Sequence, residues 1–183
     1  MSHFRRANTQ GATYFFTVVT YRRRSFLCDD DVRKALRKAI NKVRSQYPFT
    51  IDAWVLLPDH IHAIWTLPPN DADFAKRWQL IKRYVTQSCG ARLHKAEWMT
   101  TSKIKHREST LWQRRYWEHQ IRDEKDFTNH MDYLHYNPVK HGLVKQLQDW
   151  PYSTFHRYAQ NGVYSKNWAM QVLLDENGFG EGK

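Results

Sequence analysis

Apolar positions along the chain alternate between a strand period and a helix period, and the switches divide it into elements. TYFFTVVT (residues 13–20) is β-branched and aromatic, the composition of a buried strand. After a basic turn from Tyr21 to Arg24, Asp29, Asp30 and Asp31 supply an N-cap and first-turn carboxylates. Val32, Ala35, Leu36, Ala39, Ile40 and Val43 then recur at helical spacing to about Gln46, and Pro48 ends that helix. Residues 49–58 and 60–68 read as two strands joined at Pro58 and Asp59, close enough to pair as an antiparallel hairpin. Asp71 and Asp73 start a second helix, with Phe74, Trp78, Ile81 and Val85 inward, Lys76, Arg77, Lys82 and Arg83 mostly outward, and Gly90 closing it. Residues 91–110 show no sustained period and are longer than an ordinary connection, which predicts a functional or mobile basic loop. Residues 111–122 read as a strand of aromatic and basic residues. Asp123 caps a third helix whose core face is Phe127, Met131 and Leu134; Pro138 kinks or restarts it near Asn137, and Gly142 ends the following turn. Strand, helix, strand, strand, helix, strand, helix is the order of an α+β fold, a ferredoxin-like antiparallel sheet with helices packed on it.

Two places break the pattern. In LLPDHIHAIWTLP (residues 56–68), strand alternation puts Ile61, Ala63, Trp65 and Leu67 on one face and His60, His62, Ile64 and Thr66 on the other. Two imidazoles on one face converge on a divalent ion or are two satisfied polar groups on a half-wet sheet. On the third helix Asp126, His130, Tyr133 and Asn137 recur at spacings of four, three and four, a polar stripe away from the predicted core face.

A chain of 183 residues is most simply one domain with a core large enough to need no staples. Cys28 and Cys89 form no CxxC pair, and the first residues contain no apolar signal segment, so a reducing cytoplasm is expected. Apolar runs are strand-length and broken by charges, which predicts a soluble protein and no membrane helix. Charge adds more. Lys and Arg number 29 against 18 Asp and Glu, and the excess is local: residues 1–27 carry five basic and no acidic residues, residues 74–122 twelve basic and three acidic. With 15% aromatic residues, that balance suits a polyanion with faces to stack on, above all unpaired nucleic acid, although a solvated basic surface has the same composition.

PDHIHAIWTLP followed far downstream by YWEHQIRDEKDFTNHMDYLHYNPVKHGLV resembles the HUH single-tyrosine transposases, and more narrowly the REP-associated tyrosine transposases. The resemblance runs from about Arg5 to Tyr158. It places one domain over residues 1–158, including the basic loop 91–110, and leaves residues 159–183 as a tail without an assigned role. It implies an HUH endonuclease fold that cuts and rejoins single-stranded DNA beside imperfect palindromic hairpins, the repeated extragenic palindromes. By the same resemblance His60 and His62 hold Mg²⁺ or Mn²⁺, Tyr133 is the nucleophile, and Asn137, one turn on, falls where the family places a third metal ligand. The insertion-sequence relatives exchange the tyrosine helix within dimers, whereas this branch is expected to act as a monomer.

Those residue types fit the chemistry. A phosphodiester repels nucleophiles, and a cation on its non-bridging oxygen lowers the barrier. Two imidazoles and an amide oxygen are neutral, so the ion keeps its full charge; Mn²⁺ matches imidazole better than Mg²⁺ does. A phenol with a pKa near about 10 requires help at neutral pH from the metal's field, from a cation such as Lys140, or from a base. Arg5, Arg6, Arg22, Arg23, Arg24, Arg114, Arg115 and Lys140 are the candidate DNA contacts. Three other readings compete: a non-catalytic protein that binds palindromic hairpins, a metal-dependent hydrolase in which water attacks, and a replication initiator or relaxase, which the short chain and the YLHYNPVKHG context disfavour.

Overall fold

A computed structural model of the protein describes residues 9–164. Strand β1 (Thr13–Val19) is central in the sheet. It is antiparallel to β3 (His60–Thr66) on one side and β4 (Trp117–Gln120) on the other, and β2 (Thr50–Leu56) pairs with β3 to give the order β2-β3-β1-β4. A strand covered on both faces has no solvent-facing side, which is why β1 is buried at successive positions: Tyr14, Phe15, Phe16, Thr17 and Val18 are all 0% exposed.

The helices are α1 (Asp30–Gln46), α2 (Phe74–Leu93), α3 (Thr101–Lys105), α4 (Glu124–Lys140) and α5 (Phe155–Gln160). α1 and α2 cover the face of Tyr14, Phe16, Ile61, Ala63 and Trp65. There the Trp65 and Trp78 rings stack at 4.1 Å. α4 covers the opposite face, where Met131 and Leu134 pack with Phe15, Val55 and Ile64. The sheet order and the two layers bear out the α+β expectation. The α4 layer is held to the edge of β2 by a polar network: His135 Nδ1 and Nε2 lie 3.1 and 2.9 Å from Tyr164 Oη and Thr154 Oγ1. Thr154 Oγ1 in turn accepts from the Trp54 amide at 2.8 Å, and Tyr164 Oη donates to Asp132 at 2.9 Å. Among the described residues no helix is long and apolar enough to cross a membrane.

Several local expectations are corrected. Helix α2 does not close at Gly90 but runs to Leu93, whose carbonyl accepts from Arg24 Nη1 at 2.7 Å; a C-terminal carbonyl capped by a cation needs no glycine stop. Residues 91–110 are ordered into the end of α2, a 3₁₀ turn at residues 96–98 and α3. Of residues 111–122 only Trp117–Gln120 form a strand, paired with Tyr14 to Thr17 of β1; Trp112 makes an isolated bridge to Thr20. Pro138 lies inside α4 without ending it. The chain turns off after His141 at Gly142, whose φ of +67° lets Leu143 N–H reach the Pro138 carbonyl at 2.9 Å. Arg77 points inward, 1% exposed, and is bonded to Asp71 and to the carbonyls of Tyr47, Pro48 and Asp73.

Candidate active site

His60 and His62 share the α4 side of β3, with ring centroids 4.8 Å apart and planes at 83°. Both are buried, and each Nδ1 has a partner fixed by the local chain. Thr17, the cross-strand neighbour of His62 on β1, places its Oγ1 2.9 Å from His62 Nδ1. Asp59, in the turn just before β3, sets Oδ1 2.6 Å from His60 Nδ1 and Oδ2 2.9 Å from Arg23 Nη1. Burial pushes the Asp59 carboxyl upward, but the His60 hydrogen bond and the Arg23 guanidinium outweigh it and hold the group down at about 2. With Nδ1 engaged on both rings, Nε2 is the nitrogen oriented for a metal, the pattern of a ligand histidine steered by an outer carboxylate or hydroxyl.

Helix α4 brings its polar stripe onto this face. The stripe is therefore not on the outside of the helix: Asp126, His130, Tyr133 and Asn137 are all buried. The sheet face under α4 is itself part polar, so the helix buries polar residues against polar partners and apolar residues against apolar ones. The Tyr133 ring lies 5.5 Å from His62 and 6.2 Å from Phe15, and Lys140 Nζ donates to its hydroxyl at 3.1 Å while lying over the ring at 4.7 Å.

Asn137 is 0% exposed, and neither its Oδ1 nor its Nδ2 has a hydrogen-bond partner. It sits one turn after Tyr133, which touches His62, and one turn before His141, whose ring is 5.2 Å from His60. A buried amide without a partner costs about 1–3 kcal/mol. A cation between the histidine pair and Asn137 would satisfy the Oδ1 of that amide, so the donor set His60, His62 and Asn137 fits a divalent ion. His130 lies one turn before Tyr133. It is buried and turned toward β4, 5.0 Å from Phe15 and stacked on His119.

The candidate DNA contacts divide. Arg5 and Arg6 lie outside the described residues. Arg22 and Arg23 both take positive φ, 58° and 50°, a strained turn that sends Arg23 to Asp59 and leaves Arg22 exposed, 4.7 Å over the Trp98 ring. Arg24 caps α2. Arg114 is bonded to Glu108 and to Ser102, Arg115 is exposed, and Lys140 is on the Tyr133 phenol. Sequence reading passed over Asp59, Thr17 and His141. Asp59 was within reach, since it adjoins His60, but a partner across strands or at a helix end has no signature along the chain. It also passed over a groove of about 540 Å³ at the β2 edge, where Arg33, Arg37, Arg44 and Arg157 surround Trp54 and Tyr152.

A family model described as Transposase IS200 like matches residues 8–137. A REP-associated tyrosine transposase of Escherichia coli (strain K12) is 46% identical over 172 residues, 94% of this chain and 93% of that protein. A solved structure described as the REP-associated tyrosine transposase bound to a REP hairpin superposes with a TM-score of 0.83 at 45% identity, covering 100% of this chain and 99% of that one. The family model over residues 8–137 agrees with a relative and a solved structure that match nearly the whole chain, which therefore belongs to the REP-associated tyrosine transposases of the IS200-like family, enzymes that cut and rejoin DNA.

Proposed function

We propose that this protein is a metal-dependent single-strand endonuclease and strand transferase acting at palindromic DNA hairpins through a covalent 5′-phosphotyrosine. The observation that carries the reading is the burial of Tyr133 against His62 with Lys140 on its hydroxyl. A tyrosine placed only for packing does not need a cation on its oxygen.

A bound divalent ion, Mg²⁺ or Mn²⁺, supplies the Lewis acidity that polarises the scissile phosphate. His60 and His62 hold it, oriented by Asp59 and Thr17, with Asn137 as the third donor. Lys140 stabilises the negative charge that develops on the Tyr133 oxygen. Because Tyr133 is 2% exposed, the phosphate reaches that oxygen when Lys140, itself exposed, shifts part of its contact from phenol to phosphate. The tyrosine oxygen, its proton given up to water, then bonds to phosphorus as the bond to the 3′ oxygen breaks, and that oxygen takes a proton from water to become a free hydroxyl. The ester keeps the energy of the broken bond, so the hydroxyl can reverse the step without ATP. Support for the hairpin substrate is the solved relative bound to a REP hairpin, together with the basic excess of residues 74–122. The protein works as a monomer in the cytoplasm.

Single-stranded hairpin DNA incubated with the protein and Mn²⁺, resolved on a denaturing gel, should give a protein–DNA adduct that peptide mapping assigns to Tyr133. Tyr133→Phe should bind the same DNA and yield neither adduct nor cut strand. A Tyr133→Phe protein that still cuts would favour attack by water, and a wild-type protein that binds hairpins but never cuts would favour a binding role.

A further inference from the structure

The polar stripe of α4 has a second half that the cleavage chemistry does not use. Asp126 and His130, four residues apart and so on one helix face, look onto β4 and meet His119. His119 Nε2 lies 2.9 Å from Asp126 Oδ2, and His130 Nδ1 lies 3.0 Å from Asp126 Oδ1 and 2.8 Å from the Asp126 carbonyl oxygen. The two imidazoles stack at 4.5 Å with planes 12° apart, and one ligand atom from each of the three residues falls within 4.8 Å of the others. We propose that His119, Asp126 and His130 form a second divalent-metal site, for a zinc-class ion, that pins β4 to the helix carrying Tyr133.

The donor set selects the ion. Two imidazoles with one carboxylate suit Zn²⁺ or Co²⁺ and suit Mg²⁺ poorly, the opposite of a site built from oxygen alone. The set is also held from behind. The Arg122 amide donates to Asp126 Oδ2 at 3.0 Å, and the amide of Asp126 itself is fixed by the Asp123 cap at 2.8 Å. Such outer contacts orient a ligating carboxylate. The Arg122 guanidinium, 3.2 Å from the same oxygen, competes with a metal, but its side chain is 74% exposed and swings into water at little cost. Entry is from the His119 side, whose side chain is 25% exposed, while Asp126 and His130 are closed in.

This centre is distinct from the histidine pair on β3. His119 is paired with Phe15 on β1, and His62 with Thr17 on the far side of β1. Two strand spacings of about 4.8 Å thus separate the centres by roughly 10 Å, with the Phe15 ring between them. A structural ion has work here. Among the described residues β4 is an edge strand of four residues that pairs with β1 alone.

Chelator-stripped full-length protein titrated with Zn²⁺, and with Co²⁺ read by its visible absorption, tests the site without reference to DNA cleavage. The His60→Ala/His62→Ala protein should still bind one equivalent with the absorption of a low-coordinate Co²⁺ site and gain thermal stability on binding. Adding His119→Gln to that background keeps a hydrogen-bonding group beside Asp126 while deleting a ligand. Because outer contacts alone are worth about 10–100-fold, this loss should raise Kd by more than about a hundredfold. Asp126→Asn in the same background should do likewise, which guards against a folding defect in either variant. The proposal is overturned if the His60→Ala/His62→Ala protein binds no Zn²⁺, or if His119→Gln and Asp126→Asn leave its binding unchanged. Neither result bears on whether Tyr133 cuts DNA.

Discussion

His135 should make the attachment of α4 acid-sensitive. It is 1% exposed inside α4, and both ring nitrogens are engaged, with Tyr164 and with Thr154. Burial, followed by electrostatic repulsion from Arg157 and then from His156, lowers its pKa from 6.5 to about 3. The unfolded chain therefore binds this proton below about pH 6.5 while the folded chain refuses it. The stabilisation is complete above 6.5 and is lost as pH falls toward 3, at up to about 1.4 kcal/mol per unit. Between pH 7.5 and pH 5 the loss amounts to about 2 kcal/mol, a large part of the roughly 5–15 kcal/mol that hold a domain together. For a chain of this size the melting temperature should fall by roughly 4–8 °C over that interval from this group alone. Denaturant unfolding of wild type, His135→Asn and His135→Gln at pH 7.5 and pH 5 isolates the effect, since every other histidine is common to all three. Both variants should be less stable than wild type at pH 7.5 and should lose about 2 kcal/mol less on acidification. Equal losses in the three proteins would refute the claim that His135 is held neutral by the fold.

Asp59→Asn should weaken metal binding at the His60 and His62 site by about 10–100-fold while leaving the fold intact, because it removes the carboxylate that orients His60; calorimetric titration with Mn²⁺ checks this, and unchanged affinity would dismiss the relay. Trp78→Ala should cost about 3–5 kcal/mol, since the ring stacks on Trp65 in the centre of the α1 and α2 layer, and a denaturant midpoint shift equivalent to less than about 1 kcal/mol would mean that layer is looser than its geometry implies.

Much of the fold was legible along the chain because the physics that makes it is local. Helix α1 follows from apolar residues three and four apart between an aspartate start and Pro48, and β1 from its unbroken β-branched and aromatic run. The shared face of His60 and His62 follows from the alternation of a strand, whatever the strand packs against. Sequence alone also put Asp126, His130, Tyr133 and Asn137 on one stripe. What it had no means of deciding was where that stripe looks. A helix with both an apolar and a polar face next to a sheet is read as apolar inward, and here the sheet offers Thr17, the two β3 histidines and His119 as partners, so the polar stripe is buried too. Only tertiary structure decides such pairings, because they join residues from separate elements, β1, β3, β4 and α4, whose relative placement no pattern along one element specifies. The same holds for Arg23, a candidate DNA contact that a strained turn ties to Asp59; Lys140, expected either on DNA or as a cation beside the Tyr133 phenol, is set on the phenol by the turn of α4. Periodicity fixes direction within an element; which groups meet across elements depends on register and packing, and those are properties of the whole folded chain.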